Sequence, residues 1–257
     1  MAIFAKKHLP EAIRTSLAFK AKNYKQALID GFLSIDKQLE KKEGRKEIQT
    51  LFSSSPKKEL IKEEMPNPDE IVNFIGCTAC VALITRTEIY VSNVGDSRCV
   101  LSKKGIALDM SEDHKPCLEK EKKRIEKAEG YIEEDRVNGM LNLTRCLGDL
   151  EYKQNKKLKP EEQIITGFPD IRVEKLTPDI EFMIIACDGI WDCKTSQGAV
   201  DYIREKMLKA SPMHKTVRLA GILENLLDSI VAADVEASEG IGCDNMTCLL
   251  VSFCAPK

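Results

Sequence analysis

The chain has 257 residues, a size that fits one large domain or two small ones. Hydrophobic residues make up 43%, enough to bury a core, which excludes disorder along the whole length. Charged residues make up 31%, but the two signs nearly cancel at −2, which argues against a general nucleic-acid binder.

Residues 8 to 40 read as one helix. Pro10 fits a first turn, and Leu17, Ala21, Leu28, Phe32 and Ile35 supply an apolar face at helical spacing. Residues 41 to 70 are rich in Lys, Glu, Ser and Pro and read as a solvated loop or insertion, with at most a helical tail of the preceding helix. From Gly76 the pattern changes to short strands: 81 to 84, 88 to 93, 98 to 102 after the turn Gly95-Asp96-Ser97, and 106 to 108 after Lys104-Gly105. Together they predict an antiparallel meander. Residues 118 to 128 form a highly charged helix closed by Gly130. Asn138-Gly139 predicts a hairpin between 131–137 and 140–144. A buried strand over 182–187, helices over 196–209 and 215–234, and a last strand over 247–254 complete the chain. Strand runs and separate helices without βαβ alternation predict an α+β layered fold. The whole of 1–257 is read as one domain.

Ten cysteines would suggest a disulfide framework in a small secreted protein. Here the opening Met1-Ala2-Ile3-Phe4-Ala5-Lys6-Lys7 turns charged at once, and Cys99, Cys187, Cys248 and Cys254 sit in or beside apolar runs, where they act as small hydrophobes. A reducing compartment, cytoplasmic or nuclear, is expected. No stretch approaches about 18 consecutive apolar residues, so no membrane span is expected. Cys77-Thr78-Ala79-Cys80 opens an apolar run. Residues three apart on a strand point to opposite faces, which disfavours a redox or zinc pair.

Two carboxylates stand out. Asp188 ends an apolar run and precedes Gly189. Asp244 sits in Gly242-Cys243-Asp244-Asn245, just before the last apolar strand. An acid at the end of a buried strand is costly unless paired, hydrogen-bonded or bound to a metal, and several such ends brought together make an all-oxygen site suited to Mg²⁺ or Mn²⁺. Asp192 and Asp113 are placed to join them. Each of these aspartates, taken singly, also reads as a turn residue. Asp96, in Gly95-Asp96-Ser97, is most simply that. His8 and His214 read as surface residues and His114 as structural, because no nucleophile motif accompanies it. No phosphate loop of the G-x-x-x-x-G-K-[ST] type is present.

Six motifs in order resemble the protein phosphatase 2C family of metal-dependent protein phosphatases. They are Gly76-Cys77-Thr78-Ala79, Asn93-Val94-Gly95-Asp96-Ser97-Arg98, Asp113-His114-Lys115-Pro116, Leu143-Thr144-Arg145-Cys146-Leu147-Gly148-Asp149, Ala186-Cys187-Asp188-Gly189-Ile190-Trp191-Asp192 and Gly242-Cys243-Asp244-Asn245-Met246-Thr247. The resemblance implies a four-layer αββα sandwich of two antiparallel sheets flanked by helices. It implies hydrolysis of phosphoserine and phosphothreonine in proteins, by water activated at two or three Mg²⁺ or Mn²⁺ ions. By position, Asp188 and Asp244 resemble direct metal ligands, and Asp192 and Asp113 resemble the acids that hold a further, weaker ion. Asn245 and Gly189 resemble supporting residues, with Asn245 orienting Asp244 or a bound water. Arg145 and Asp149 resemble framework residues that order a neighbouring loop. Phosphoprotein substrates and a monomeric state are expected, with no nucleic-acid or membrane partner.

The family carries an Asp-Gly-His-Gly segment upstream of its first helix, which supplies the ligand that bridges two metals and the general acid. No Asp-Gly-His occurs in this sequence. The chain therefore resembles a family domain lacking its N-terminal part and first strands, and little or no activity is expected of these residues alone. The alternative is a non-catalytic relative acting as a protein-binding module.

Overall fold

The computed structural model describes residues 1–54, 68–210 and 218–253. Two compact units share the chain. The first takes Met1–Ala79, Ser92–Gly95 and Asp113–Ile171, and the second takes Cys80–Val91, Asp96–Glu112 and Arg172–Lys257.

The first unit opens with helices, and the single helix expected over 8–40 is three. Helix α1 spans Ala2–Thr15, α2 Leu17–Lys20 and α3 Tyr24–Leu39. The breaks have local causes. Ser16 is extended, with φ −60° and ψ 148°, and its hydroxyl accepts the Phe19 N–H at 3.0 Å, capping α2. Lys22 takes φ 60°, and Asn23 Oδ1 accepts the Gln26 N–H at 3.3 Å to open α3. Polar caps of this kind compete with helix continuation, and apolar periodicity runs on across them unseen. Leu17 and Ala21, assigned to the apolar face, are exposed for the same reason, while Pro10 stands inside α1 rather than in its first turn. Helices α1 and α3 pack closely where Gly31 faces Ile13, since a Cβ on Gly31 would stand 2.4 Å from Ile13 Cγ1. His8, expected at the surface, is half-buried, with its ring 4.3 Å from that of Phe4 and Nε2 2.9 Å from Glu47 Oε2.

The stretch read as a loop over 41–70 holds a helix of its own, α4 (Lys42–Ser53), which buries Gly44 and Ile48. Its apolar residues, Ile48, Leu51 and Phe52, fall in the second half alone, and the charged first half hid the helix from the sequence reading. Residues 55–67 of that stretch lie outside the described residues, as does His214.

Further along, β1 (Gly76–Cys77) pairs with β8 (Leu147–Gly148), and α5 spans Glu119–Lys127. The left-handed residue that ends α5 is Glu129, at φ 68°. Gly130, expected in that role, instead donates its N–H to Ile125 O at 2.9 Å. The long hairpin expected about Asn138-Gly139 resolves into two tight turns. Glu134 and Asp135, at φ 48° and 55°, join β6 (Ile132–Glu133) to β7 (Arg136–Val137). Asn138 and Gly139, at φ 50° and 70°, close a bridge between Val137 and Leu141. Successive left-handed residues match the twist of a paired ribbon.

The second unit is layered. One sheet has the order β11-β10-β4-β5, from Cys248–Ser252, Ile180–Ala186, Arg98–Lys103 and Ile106–Asp109. The other has the order β2-β3-β9, from Ala79–Ile84, Glu88–Val94 and Asp170–Lys175, of which Ala79, the last three residues of β3 and the first two of β9 count with the first unit. The expected meander is thus divided, with β2 and β3 in one sheet and β4 and β5 in the other. Alternation along β10 and β4 explains the layers. Cys99, Leu101 and Met183 face Ile89 and Val91 of the second sheet. Val100, Phe182, Ile184 and Ala186 face Ala199, Val200 and Ile203 of α7 (Ser196–Ala210) and Ile222 and Leu226 of α8 (Leu219–Asp228). A strand buried on both faces reads as a continuous apolar run, as Phe182-Met183-Ile184-Ile185-Ala186 does. The fold class is α+β, and the second unit supplies a ββα succession of layers.

Candidate metal centre

Strand pairing sets the site. In the first sheet Ala186 stands opposite Cys248 of β11 and Arg98 of β4. One residue on, the Cys187 N–H donates to Thr247 O at 3.1 Å, and the chain then turns into the short helix α6 (Asp188–Trp191). The same register brings Asp244, which precedes β11, toward Asp188. Gly189 lets them meet: a Cβ there would lie 2.5 Å from Asn245 O and 3.4 Å from Asp244 Cβ. Gly242, at φ 76°, shapes the incoming loop, and a Cβ on it would lie 2.3 Å from Ile230 O.

Asp188 is half-buried, and its Oδ1 accepts the Gly189 N–H at 3.0 Å. Asp244 is exposed and accepts the Asn245 backbone N–H at 2.6 Å, so the backbone of Asn245 rather than its amide fixes that carboxylate. Burial, followed by the negative charges of Asp96, Asp244 and Asp192, pushes the Asp188 carboxyl above its ordinary range. Three acids from separate turns therefore act on a fourth. Asp192 is exposed at the end of α6.

Asp96 is the participant that the sequence reading set aside as a turn residue. It is 3% exposed, between β3 and β4. The signal was available, since Asp96 stands where an apolar strand stops, just as Asp188 does.

Asp113 lies in the first unit, half-buried, with its carbonyl accepting the Lys115 N–H at 3.0 Å. Among the described residues, no group of three or more His, Cys, Asp or Glu side chains forms a ready ligand set for a metal. The donor chemistry nonetheless fits a hard divalent cation. The groups about Asp188 are all carboxylates, the donor set that suits a hard divalent cation.

The framework residues belong to a buried polar network in the first unit. Glu121, 0% exposed, receives Arg145 Nη2 at 2.5 Å and Thr144 Oγ1 at 2.7 Å, and it also pairs with Arg124. Burial pushes the Glu121 carboxyl upward, but the Arg145 hydrogen bond and the Arg124 charge outweigh it and bring it down to about 2. Arg145 also reaches Asp170 Oδ1 at 2.7 Å and Phe168 O at 3.1 Å. His114 Nδ1 accepts the Gly95 N–H at 3.1 Å, which leaves Nε2 to donate to Asp170 Oδ2 at 3.3 Å, a structural role. Asp149 holds φ 47° and lies against Gly76, where a Cβ would stand 1.9 Å from its Oδ2. Arg145 and Asp149 thus both lie against backbone of the first unit, Arg145 through Phe168 O and Asp149 through Gly76. The nine described cysteines are all unbridged, and burial pushes the Cys77 thiol up to about 11.

Comparison with known proteins agrees with this frame. The protein phosphatase 2C family pattern matches residues 1–237. The chain is 40% identical over 253 residues to a probable protein phosphatase 2C of Paramecium tetraurelia, covering 98% of this chain and 78% of the relative. It is 41% identical over 253 residues to a protein phosphatase 2C homolog of Hypocrea jecorina, covering 98% of this chain but only 50% of the relative. A solved serine-threonine phosphatase 2C from Toxoplasma gondii shares the fold, with TM-score 0.64 and 18% identity over 97% of this chain and 80% of that one. So does a C. elegans sex determining protein, with TM-score 0.66 and 20% identity over 98% and 53%. The chain belongs to the protein phosphatase 2C family. Among the described residues, no helix is long and apolar enough to cross a membrane.

Proposed function

We propose that this chain carries the metal-binding half of a phosphatase site that hydrolyses phosphoserine and phosphothreonine in proteins. The observation that supports it is the β10–β11 register, which sets the Asp244 loop against the Gly189 that follows Asp188, with Asp96 and Asp192 near enough for their charges to act on Asp188. Asp188 and Asp244 are assigned as direct ligands of Mg²⁺ or Mn²⁺, and Asp192 as a holder of a weaker ion. Asp113 takes the same assignment on the family resemblance alone. Bound there, divalent ions supply Lewis-acid activation of water and offset charge on the transferred phosphoryl group. The chain's part is to hold the carboxylates in place through the β10–β11 register and the Gly189 contact, at the cost of their mutual repulsion.

The 257 residues contain no Asp-Gly-His, so little or no turnover is expected of them alone. The test fuses a relative's N-terminal part, first strands and Asp-Gly-His-Gly segment included, ahead of Met1 and measures phosphate release from a phosphothreonine peptide. Turnover that requires Mn²⁺ and vanishes in Asp188→Asn supports the assignment. A folded fusion that is inactive, or active in EDTA, overturns it. A second reading, a non-catalytic protein-binding module, draws on the lack of a ready three-ligand group among the described residues. It would be favoured if the chain bound no Mn²⁺.

A further inference from the structure

Trp191 is the single tryptophan of the chain and stands between Asp188 and Asp192 in sequence. It is 7% exposed, held on both its polar and its aromatic sides. Its indole Nε1–H donates to Ala186 O at 2.9 Å, at the end of β10. Over its ring lies the Arg98 guanidinium, with Cζ 5.1 Å from the centroid. Arg98 is the first residue of β4, is paired through its backbone with Ala186, and lies two residues after Asp96. Its Nη1 donates to Ser196 Oγ at 3.1 Å, and that hydroxyl donates to Asp109 Oδ1 at 2.6 Å. One stacked pair thus ties the turn that carries Asp96 to the turn that carries Asp188 and Asp192. The contact forms part of the lining of an open cavity of about 650 Å³ in which Asp192, Lys194 and Gln197 also take part.

We propose that Arg98 and Trp191 are positioning residues that set the spacing of Asp96, Asp188 and Asp192, and through that spacing the affinity for divalent cations. The proposal rests on the metal assignment above. An arginine held over an indole acts as a spacer, because the cation is drawn to the ring face and its Nη1 is tied to Ser196. Residues that orient metal ligands without touching the ion change affinity by about ten- to a hundredfold when replaced.

Manganese binding to the full chain, measured by calorimetry, tests this with Arg98→Met, Trp191→Phe and Asp188→Asn. The first two variants are expected to bind Mn²⁺ about tenfold more weakly, with Arg98→Met still melting cooperatively in the absence of metal. Asp188→Asn is expected to lose binding. Binding unchanged in Arg98→Met while Asp188→Asn loses it overturns the positioning role and leaves the metal assignment standing. Absence of binding in the unmodified chain overturns both. If the Trp191 variant does not fold, the emission of Trp191 in the unmodified chain serves instead. Diamagnetic Mg²⁺ is expected to alter that emission in the unmodified chain and less so in Arg98→Met, and an emission spectrum indifferent to Mg²⁺ in both counts against the coupling.

Discussion

Gly189 has no room for a side chain, because a Cβ there would stand 2.5 Å from the carbonyl oxygen of Asn245. Two loops that carry Asp188 and Asp244 touch through that gap. Backbone contact of this closeness makes glycine a condition of the site and not a flexible filler.

Gly189→Ala should therefore cost about 1–3 kcal/mol of stability, the range of overpacking in a tight interior, with the added methyl pressed on a backbone oxygen that cannot swing aside. Urea unfolding measures the loss. The same variant should weaken Mn²⁺ binding, since the Asn245 carbonyl must move to admit the methyl and Asp244 is the residue before it. A variant as stable as the parent would show that the loops separate freely.

Metal should stabilise the fold. The Asp188 carboxyl is pushed up by burial and by neighbouring acids, so without metal the folded state loses stability as pH rises past the ordinary carboxylate range. Asp188→Asn should accordingly raise the metal-free melting temperature at pH 7. In the unmodified chain, Mn²⁺ at a hundred times its dissociation constant should add about 2.7 kcal/mol. That gain should vanish in Asp188→Asn, and a thermal melt of both proteins with and without EDTA reads the two effects together.

Acid should unfold the chain partly through Glu121. Its folded carboxyl is lowered from 4.5 to about 2, so its stabilisation is complete above the higher value and is lost as pH falls between the two. The difference corresponds to roughly 3 kcal/mol at neutral pH. Glu121→Gln should remove this part of the acid dependence and destabilise by about 3–5 kcal/mol at pH 7, because Arg124 would keep a buried charge with no carboxylate against it and Arg145 would keep Asp170 alone. Denaturant melts across pH 3 to 7 provide the check.

A second buried pair joins α3 to the segment after β8. Lys153 Nζ lies 2.6 Å from Asp36 Oδ2 and donates to Cys146 O at 2.8 Å, while Asp36 Oδ1 accepts the Gly148 N–H at 2.8 Å. Burial alone would lower the Lys153 pKa, but the charge of Asp36 outweighs it. Lys153→Met should cost about 3–5 kcal/mol, the loss expected when one member of a buried pair is removed. Asp36→Asn with Lys153→Met should recover part of it, and a double-mutant cycle by urea unfolding measures the coupling.

The sequence by itself determined the elements whose periodicity is strong and whose ends are chemically marked. The apolar run of β10 was legible because a strand buried on both faces is apolar throughout, and α8 because a helix buried on one face repeats its apolar residues at three and four, although that helix, read over 215–234, ends at Asp228. It also marked Asp188 and Asp244, since an acid that ends an apolar run is costly without a partner. Tertiary structure alone decided the rest. Whether β2 to β5 form one sheet or two depends on which long-range partners the strands find, and no local pattern records that β4 joins β10 while β3 joins β9. The nearness of Asp96 to Asp188 was hidden for the same reason: a turn aspartate looks alike in any turn, and only the pairing of Arg98 with Ala186 brings that turn to the end of β10 from which Asp188 follows.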